Sequence, residues 1–88
     1  VKEVIVPIVN PLGLHARPAA EFVKTAGRFQ ANVTVRKDAM EVNGKSIMGM
    51  MMLAAECGSH VTIRADGADA DDALAALSAL VAAGFGEM

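Results

Sequence analysis

The chain has 88 residues, 53% of them hydrophobic, and a formal net charge of −2 at pH 7. A chain of this length is expected as one domain, residues 1–88, burying about 60–65% of its unfolded surface, and its apolar content excludes disorder. The slight acidic balance argues against a general nucleic-acid binder, and one cysteine, Cys57, leaves no internal disulfide, which suits a reducing, cytoplasmic setting.

Val4, Val6 and Ile8 alternate with Glu3, Ile5 and Pro7, which predicts a strand with one strongly apolar face. Pro7 cannot donate to a ladder, so this strand belongs at a sheet edge. No basic-plus-apolar leader opens the chain, so no secretory signal is expected. Asn10-Pro11-Leu12-Gly13 reads as a loop that delivers the chain to His15. A first helix follows from Ala16 to about Gly27, with Ala19, Phe22, Val23 and Ala26 at helical spacing as its apolar stripe. Ala16, Arg17, Ala20 and Lys24 fall off that stripe and form a candidate contact face.

Asn32 to Arg36 is a second strand with Val33 and Val35 inward; Lys37-Asp38-Ala39 is a tight turn into a third strand, Met40 to Val42. Ser46 is an N-cap candidate for a short second helix reaching about Leu53. Met48, Met50, Met51 and Met52 crowd that helix. So short a helix cannot bury them all, so Met48 at least is expected to face solvent beside Ser46. The apolar run from Ile47 to Ala55 is too short to span a bilayer. Glu56-Cys57-Gly58-Ser59 is a turn, and Val61, Ile63 and Ala65 form the inward face of a fourth strand. Asp69, Asp71 and Asp72 bring negative charge to the start of a last helix, whose stripe is Ala73, Leu74, Leu77, Leu80 and Val81 and whose end is marked by Gly84. The order is β-α-β-β-α-β-α. Amphipathic helices and half-apolar strands of this kind bury their faces against each other as a two-layer α+β domain.

The chemistry concentrates at Gly13-Leu14-His15-Ala16-Arg17-Pro18. If a helix begins at Ala16, His15 sits at its N-cap, beside backbone N–H groups that have no partner within the helix. Those groups and the helix dipole favour an anion, above all a phosphate. Arg17 adds a planar cationic fork suited to phosphate oxygens. Pro18 fits the first turn, where its missing N–H is not needed. Gly13 is read as a place where backbone could approach a ligand closely. Neutral imidazole is a nucleophile at neutral pH, so His15 is the candidate acceptor of a phosphoryl group, with Ala16 and Arg17 binding it. A lone histidine before a helix is more often a polar cap, which is the plain alternative. Cys57 and His60 lack paired ligand spacing, so no metal is implied, and no cofactor either.

Gly13-Leu14-His15-Ala16-Arg17-Pro18-Ala19-Ala20 resembles the active-site signature of the HPr family, the histidine-containing phosphocarriers of the bacterial phosphoenolpyruvate-dependent sugar phosphotransferase system. Asn43-Gly44-Lys45-Ser46-Ile47-Met48-Gly49 resembles that family's regulatory serine region, and the likeness runs through nearly the whole chain. The resemblance implies an open-faced sandwich: a four-stranded antiparallel sheet in the order 1-4-2-3, with three helices on one face. It implies a phosphoryl carrier rather than a stand-alone enzyme. His15 would be charged at Nδ1 by phospho-Enzyme I and discharged to sugar-specific IIA proteins or domains, and Ser46 would be a target of a serine kinase/phosphorylase. Ala16, Arg17, Ala20, Lys24, Ile47, Met48, Met51 and Met52 are the expected partner-binding face, on a protein expected to be monomeric, with neither nucleic acid nor membrane insertion. Leu12 departs from relatives that carry a small polar residue there, which removes one contact to phosphate. A nitrogen-regulatory branch shares the histidine motif, although the Lys45-to-Gly49 block resembles the sugar branch more closely. A non-catalytic binding module using the same face is the alternative from another class.

Overall fold

A computed structural model describes residues 1–87. The elements are β1 (Lys2–Pro7), α1 (Ala16–Ala26), β2 (Asn32–Lys37), β3 (Met40–Asn43), α2 (Ile47–Met52), β4 (His60–Asp66) and α3 (Ala70–Ala82). A 3-10 turn, Gly84–Gly86, follows α3, an element that periodicity did not announce. The strands form one antiparallel sheet in the order β1-β4-β2-β3, so the α+β open-faced sandwich is as expected, with Pro7 on an edge strand.

The register explains the two faces. Val4, Ile63, Val35 and Val42 stand in one cross-strand row. The next row, Glu3, Arg64, Thr34 and Asn43, points the other way, because successive side chains alternate across a strand. The apolar rows are covered by the helices, whose Phe22, Met50 and Leu77 are fully buried against Val35, Val61 and Ile63. Burial of each such large side chain contributes about 1.5–3 kcal/mol. The polar face stays in water, as antiparallel sheets allow. There Arg64 lies 3.4 Å from Glu3 and 3.9 Å from Glu41. The β2–β3 hairpin closes through Asp38 and Ala39, with Asp38 in the left-handed region at φ 54°.

One local reading gains detail and one changes. The Asp69 side chain makes no cap bond to α3 although the residue stands at the N-cap; its carboxylate instead accepts the backbone N–H groups of Gln30 and Ala31, each at 2.8 Å. It ties the start of α3 to the α1–β2 connection, and the first-turn charge on α3 is left to Asp71 and Asp72. Gly13 is buried at φ 68°, and a Cβ there would collide with the carbonyl oxygen of Ala55. The glycine is needed for backbone-to-backbone packing inside the protein and not for approach by a ligand.

Candidate functional site

The site begins with a loop pinned at both ends. Ile8 N–H donates to Ser59 O (2.8 Å) and Leu14 N–H donates to Ala55 O (2.8 Å), so the connector after α2 holds the segment that precedes His15. Gly13 N–H donates to Asn10 O at 3.1 Å, closing a turn within it. His15 then takes the N-cap position of α1 in extended conformation, with its side chain about one-third exposed.

Among the described residues, the first turn of α1 leaves two backbone donors without an acceptor. His15 N–H donates to Gly13 O and Ala19 N–H to His15 O, both at 3.0 Å, and Pro18 has no N–H. The unpartnered groups are those of Ala16 and Arg17, at the positive end of an 11-residue helix. The first turn of α1 itself carries no acidic side chain. Arg17 is exposed beside it.

The residue that sequence reasoning missed is Glu87. Its carboxylate oxygens lie 3.1 and 3.0 Å from His15 Nε2, and Oε1 also accepts from Asn10 Nδ2 at 3.0 Å. Burial would raise the Glu87 carboxyl. Hydrogen bonds from His15 and Asn10, and the charges of His15 and Arg17, outweigh it and hold the group below its ordinary value. A carboxylate only accepts hydrogen bonds, so Nε2 carries the proton of the His15 ring. In the neutral ring the lone pair is therefore on Nδ1. The tail reaches this place because Gly84, Phe85 and Gly86 all have positive φ (65°, 56° and 74°), which turns the chain back after α3 and seats Phe85 in the core. An apolar residue between two glycines just past a helix end was the one available signal.

The wider surface is as the sequence suggested. Ala16, Arg17, Ala20 and Lys24 are exposed on α1, and Ile47, Met48, Met51 and Met52 on α2, while Met50 is buried. Ser46 caps α2, its Oγ accepting Gly49 N–H at 3.1 Å. Gly49 is closely packed: a Cβ there would lie 3.3 Å from Val42 Cβ, so Val42 would have to yield by a few tenths of an ångström. Two depressions, of about 430 and 230 Å3, open around the polar face of the sheet near Asn32, Thr34 and Glu41, and His15 lines neither. Cys57 and His60 are exposed and stand outside the His15 constellation. No helix among the described residues is long and apolar enough to cross a membrane.

A part-exposed histidine at a helix start, with unpartnered backbone donors beside it and a carboxylate behind it, offers a nucleophilic ring next to a seat for an anion such as phosphate. Residues 2–83 match the family model described as the PTS HPr component phosphorylation site. The chain is 49% identical to phosphocarrier protein HPr of Neisseria meningitidis serogroup B over 82 residues (93% of this chain and 92% of the relative). It is 50% identical to that of Cupriavidus necator over 80 residues (91% and 90%). The crystal structure of HPr-C-His from Thermoanaerobacter tengcongensis superposes with a TM-score of 0.96 at 48% identity, covering 100% of this chain and 99% of that one. The chain belongs to the HPr family of phosphotransferase-system phosphocarriers. HPr-like protein Crh of Bacillus subtilis, 52% identical over 69 residues (78% and 81%), is also similar, and its crystal structure is described as a swapped dimer.

Proposed function

We propose that His15 accepts a phosphoryl group at Nδ1 from phospho-Enzyme I and passes it to IIA proteins or domains of sugar permeases. The observation that carries this reading is the His15–Glu87 pair at 3.0 Å, which occupies Nε2 and leaves Nδ1 as the nucleophile. As the Nδ1–phosphorus bond forms, the donor's bond to phosphorus breaks. Positive charge grows on the ring and is met by the Glu87 carboxylate. The phosphoryl oxygens take the N–H groups of Ala16 and Arg17 and the Arg17 guanidinium. Phosphoryl transfer asks a protein mainly for position and charge stabilisation, and these groups supply both. Helix-end stabilisation of roughly 0.3–1 kcal/mol is modest, which suits a group that must be handed on.

Docking falls to Ala16, Arg17, Ala20 and Lys24 with Ile47, Met48, Met51 and Met52. Their small side chains leave room around His15, and the methionines adapt to successive partners. Ser46 lies at the edge of this face, and phosphorylation there by a serine kinase/phosphorylase would put charge among the apolar contacts.

The test is incubation with Enzyme I and phosphoenolpyruvate. The parent takes up acid-labile phosphate and His15→Ala takes up none; uptake by the variant would refute the assignment. Arg17→Ala keeps the site of attachment and slows transfer. Uptake by the parent also separates a carrier from a binding module that merely uses the same face.

A further inference from the structure

We propose that Asn10 is a positioning residue for phosphoryl transfer, its buried amide holding the Glu87 carboxylate against His15 so that the ring lone pair stays on Nδ1. The geometry stands alone; its consequence for transfer rests on the phosphocarrier reading above.

Asn10 is fully buried. Its Nδ2 carries two N–H bonds, and both are used: one donates to Gly13 O at 2.7 Å, the other to Glu87 Oε1 at 3.0 Å. The two acceptors belong to the two segments that flank the imidazole, the loop before it and the tail behind it. The same residue accepts Gly13 N–H with its own carbonyl oxygen, so side chain and backbone together fix the turn. Asn10 Oδ1, by contrast, is buried with no hydrogen-bond partner among the described residues. An unsatisfied buried acceptor destabilises a fold, and an apolar side chain of similar size would avoid it. The amide is accounted for by its two donors, one fixing the turn and the other holding Glu87.

A neutral donor also suits the task better than a cation would. It orients one oxygen of Glu87 without neutralising the carboxylate, leaving the negative charge for the ring N–H. Glu87 Oε1 is 3.1 Å and Oε2 3.0 Å from Nε2, so the carboxylate meets the ring with both oxygens while Asn10 holds one of them. The depressed Glu87 carboxyl, to which the Asn10 bond contributes, agrees with this division of labour.

The tautomer of His15 reads the proposal directly. With 15N-labelled full-length protein at a pH where the ring is neutral, the parent shows the proton on Nε2. Asn10→Leu, which has the size without the donors, shifts the ring toward a mixture of tautomers. Glu87→Ala gives the same shift, and adding Asn10→Leu to it changes nothing further, the mark of a residue acting through Glu87. Transfer from Enzyme I to Asn10→Leu falls roughly tenfold, equivalent to about 1.4 kcal/mol on the barrier. Should Asn10→Leu not fold, Asn10→Ala serves: it removes both donors without adding bulk and gives the same tautomer shift. An unchanged tautomer in a folded Asn10 variant overturns the proposal, as does a shifted tautomer with an unchanged transfer rate. If His15→Ala still takes up phosphate, the carrier reading fails instead, and the parent's tautomer remains a separate measurement.

Discussion

The Asp69 carboxylate accepts the backbone N–H of Ala31 at 2.8 Å, so the N-cap of α3 is tied to a residue 38 positions earlier in the chain. Its other oxygen accepts Gln30 N–H at the same distance. The Gln30 bond first, then that of Ala31 and the charge of Lys45, hold the Asp69 carboxyl below its ordinary value against the opposing effect of burial. A carboxyl whose folded value is depressed contributes stability that is present above its unfolded value and is lost as pH falls through the folded one. Asp69→Ala is therefore expected to melt lower than the parent at neutral pH. The gap in Tm should hold down to roughly pH 5 and then close in acid. A melting series from pH 7 to pH 2 on both proteins checks it; a gap that widens in acid would contradict the sign.

Ser46→Asp should keep or slightly raise the melting temperature while slowing phosphorylation of His15 by Enzyme I. Oγ already accepts Gly49 N–H at 3.1 Å, so an acidic side chain here faces the favourable end of α2. The harm falls on docking, because a partner that covers Ile47 and Met48 must desolvate the new charge. Phosphoryl uptake as fast as the parent's would leave Ser46 a cap alone.

Met48 and Met50 sit two positions apart on α2 and should behave oppositely. Met48 is 72% exposed and Met50 is 1% exposed. Met50→Ala removes a core side chain and is expected to cost about 2–5 kcal/mol. Met48→Ala should stay within about 0.5 kcal/mol of the parent in stability. Its effect should appear in association with Enzyme I, measured by calorimetry, where Met48→Ala weakens binding.

Two left-handed positions flank the Leu14–Ala55 hydrogen bond: Gly13 at φ 68° and Ala54 at φ 50°. Gly13→Ala both strains the backbone and drives a Cβ into Ala55 O, so it should destabilise by about 1–3 kcal/mol. Ala54→Gly relieves a conformation that costs an L-residue about 1–2 kcal/mol, partly offset by greater freedom in the unfolded chain, and should be neutral to slightly stabilising. Denaturant midpoints for the two variants should move in opposite directions or leave Ala54→Gly in place.

The strands and helices were readable because their residues repeat at the right periods. Val4 and Val6, Val33 and Val35, Val61 and Ile63 are spaced for a strand; Ala19, Phe22 and Ala26 are spaced for a helix. Strand order came from resemblance alone, since no local pattern says which strand β4 pairs with. His15, Ala16 and Arg17 announced a site because a histidine, a cation and a helix start fall within a few residues. Glu87 and Asn10 gave no such sign. Glu87 meets His15 only because three consecutive positive-φ residues, one of them Phe85, turn the tail back, and Asn10 holds it there with a buried amide that looks in sequence like any loop asparagine. Asp69 reads in sequence only as charge at a helix start; its pairing with two backbone donors on another element is invisible in one dimension.

The sheet is open at both sides, with β1 and β3 as its edges. Exposed edges are where folded proteins seed association into fibres, since a free row of N–H and C=O groups can template a foreign strand. Here β3 is only four residues long and carries Glu41, and β1 ends on Pro7, which has no N–H to lend, after opening on the charged Lys2 and Glu3. Each edge is either too short or too interrupted to zip with a neighbour. The fold thus carries resistance to edge-to-edge aggregation in a molecule that leaves an apolar helix surface in water.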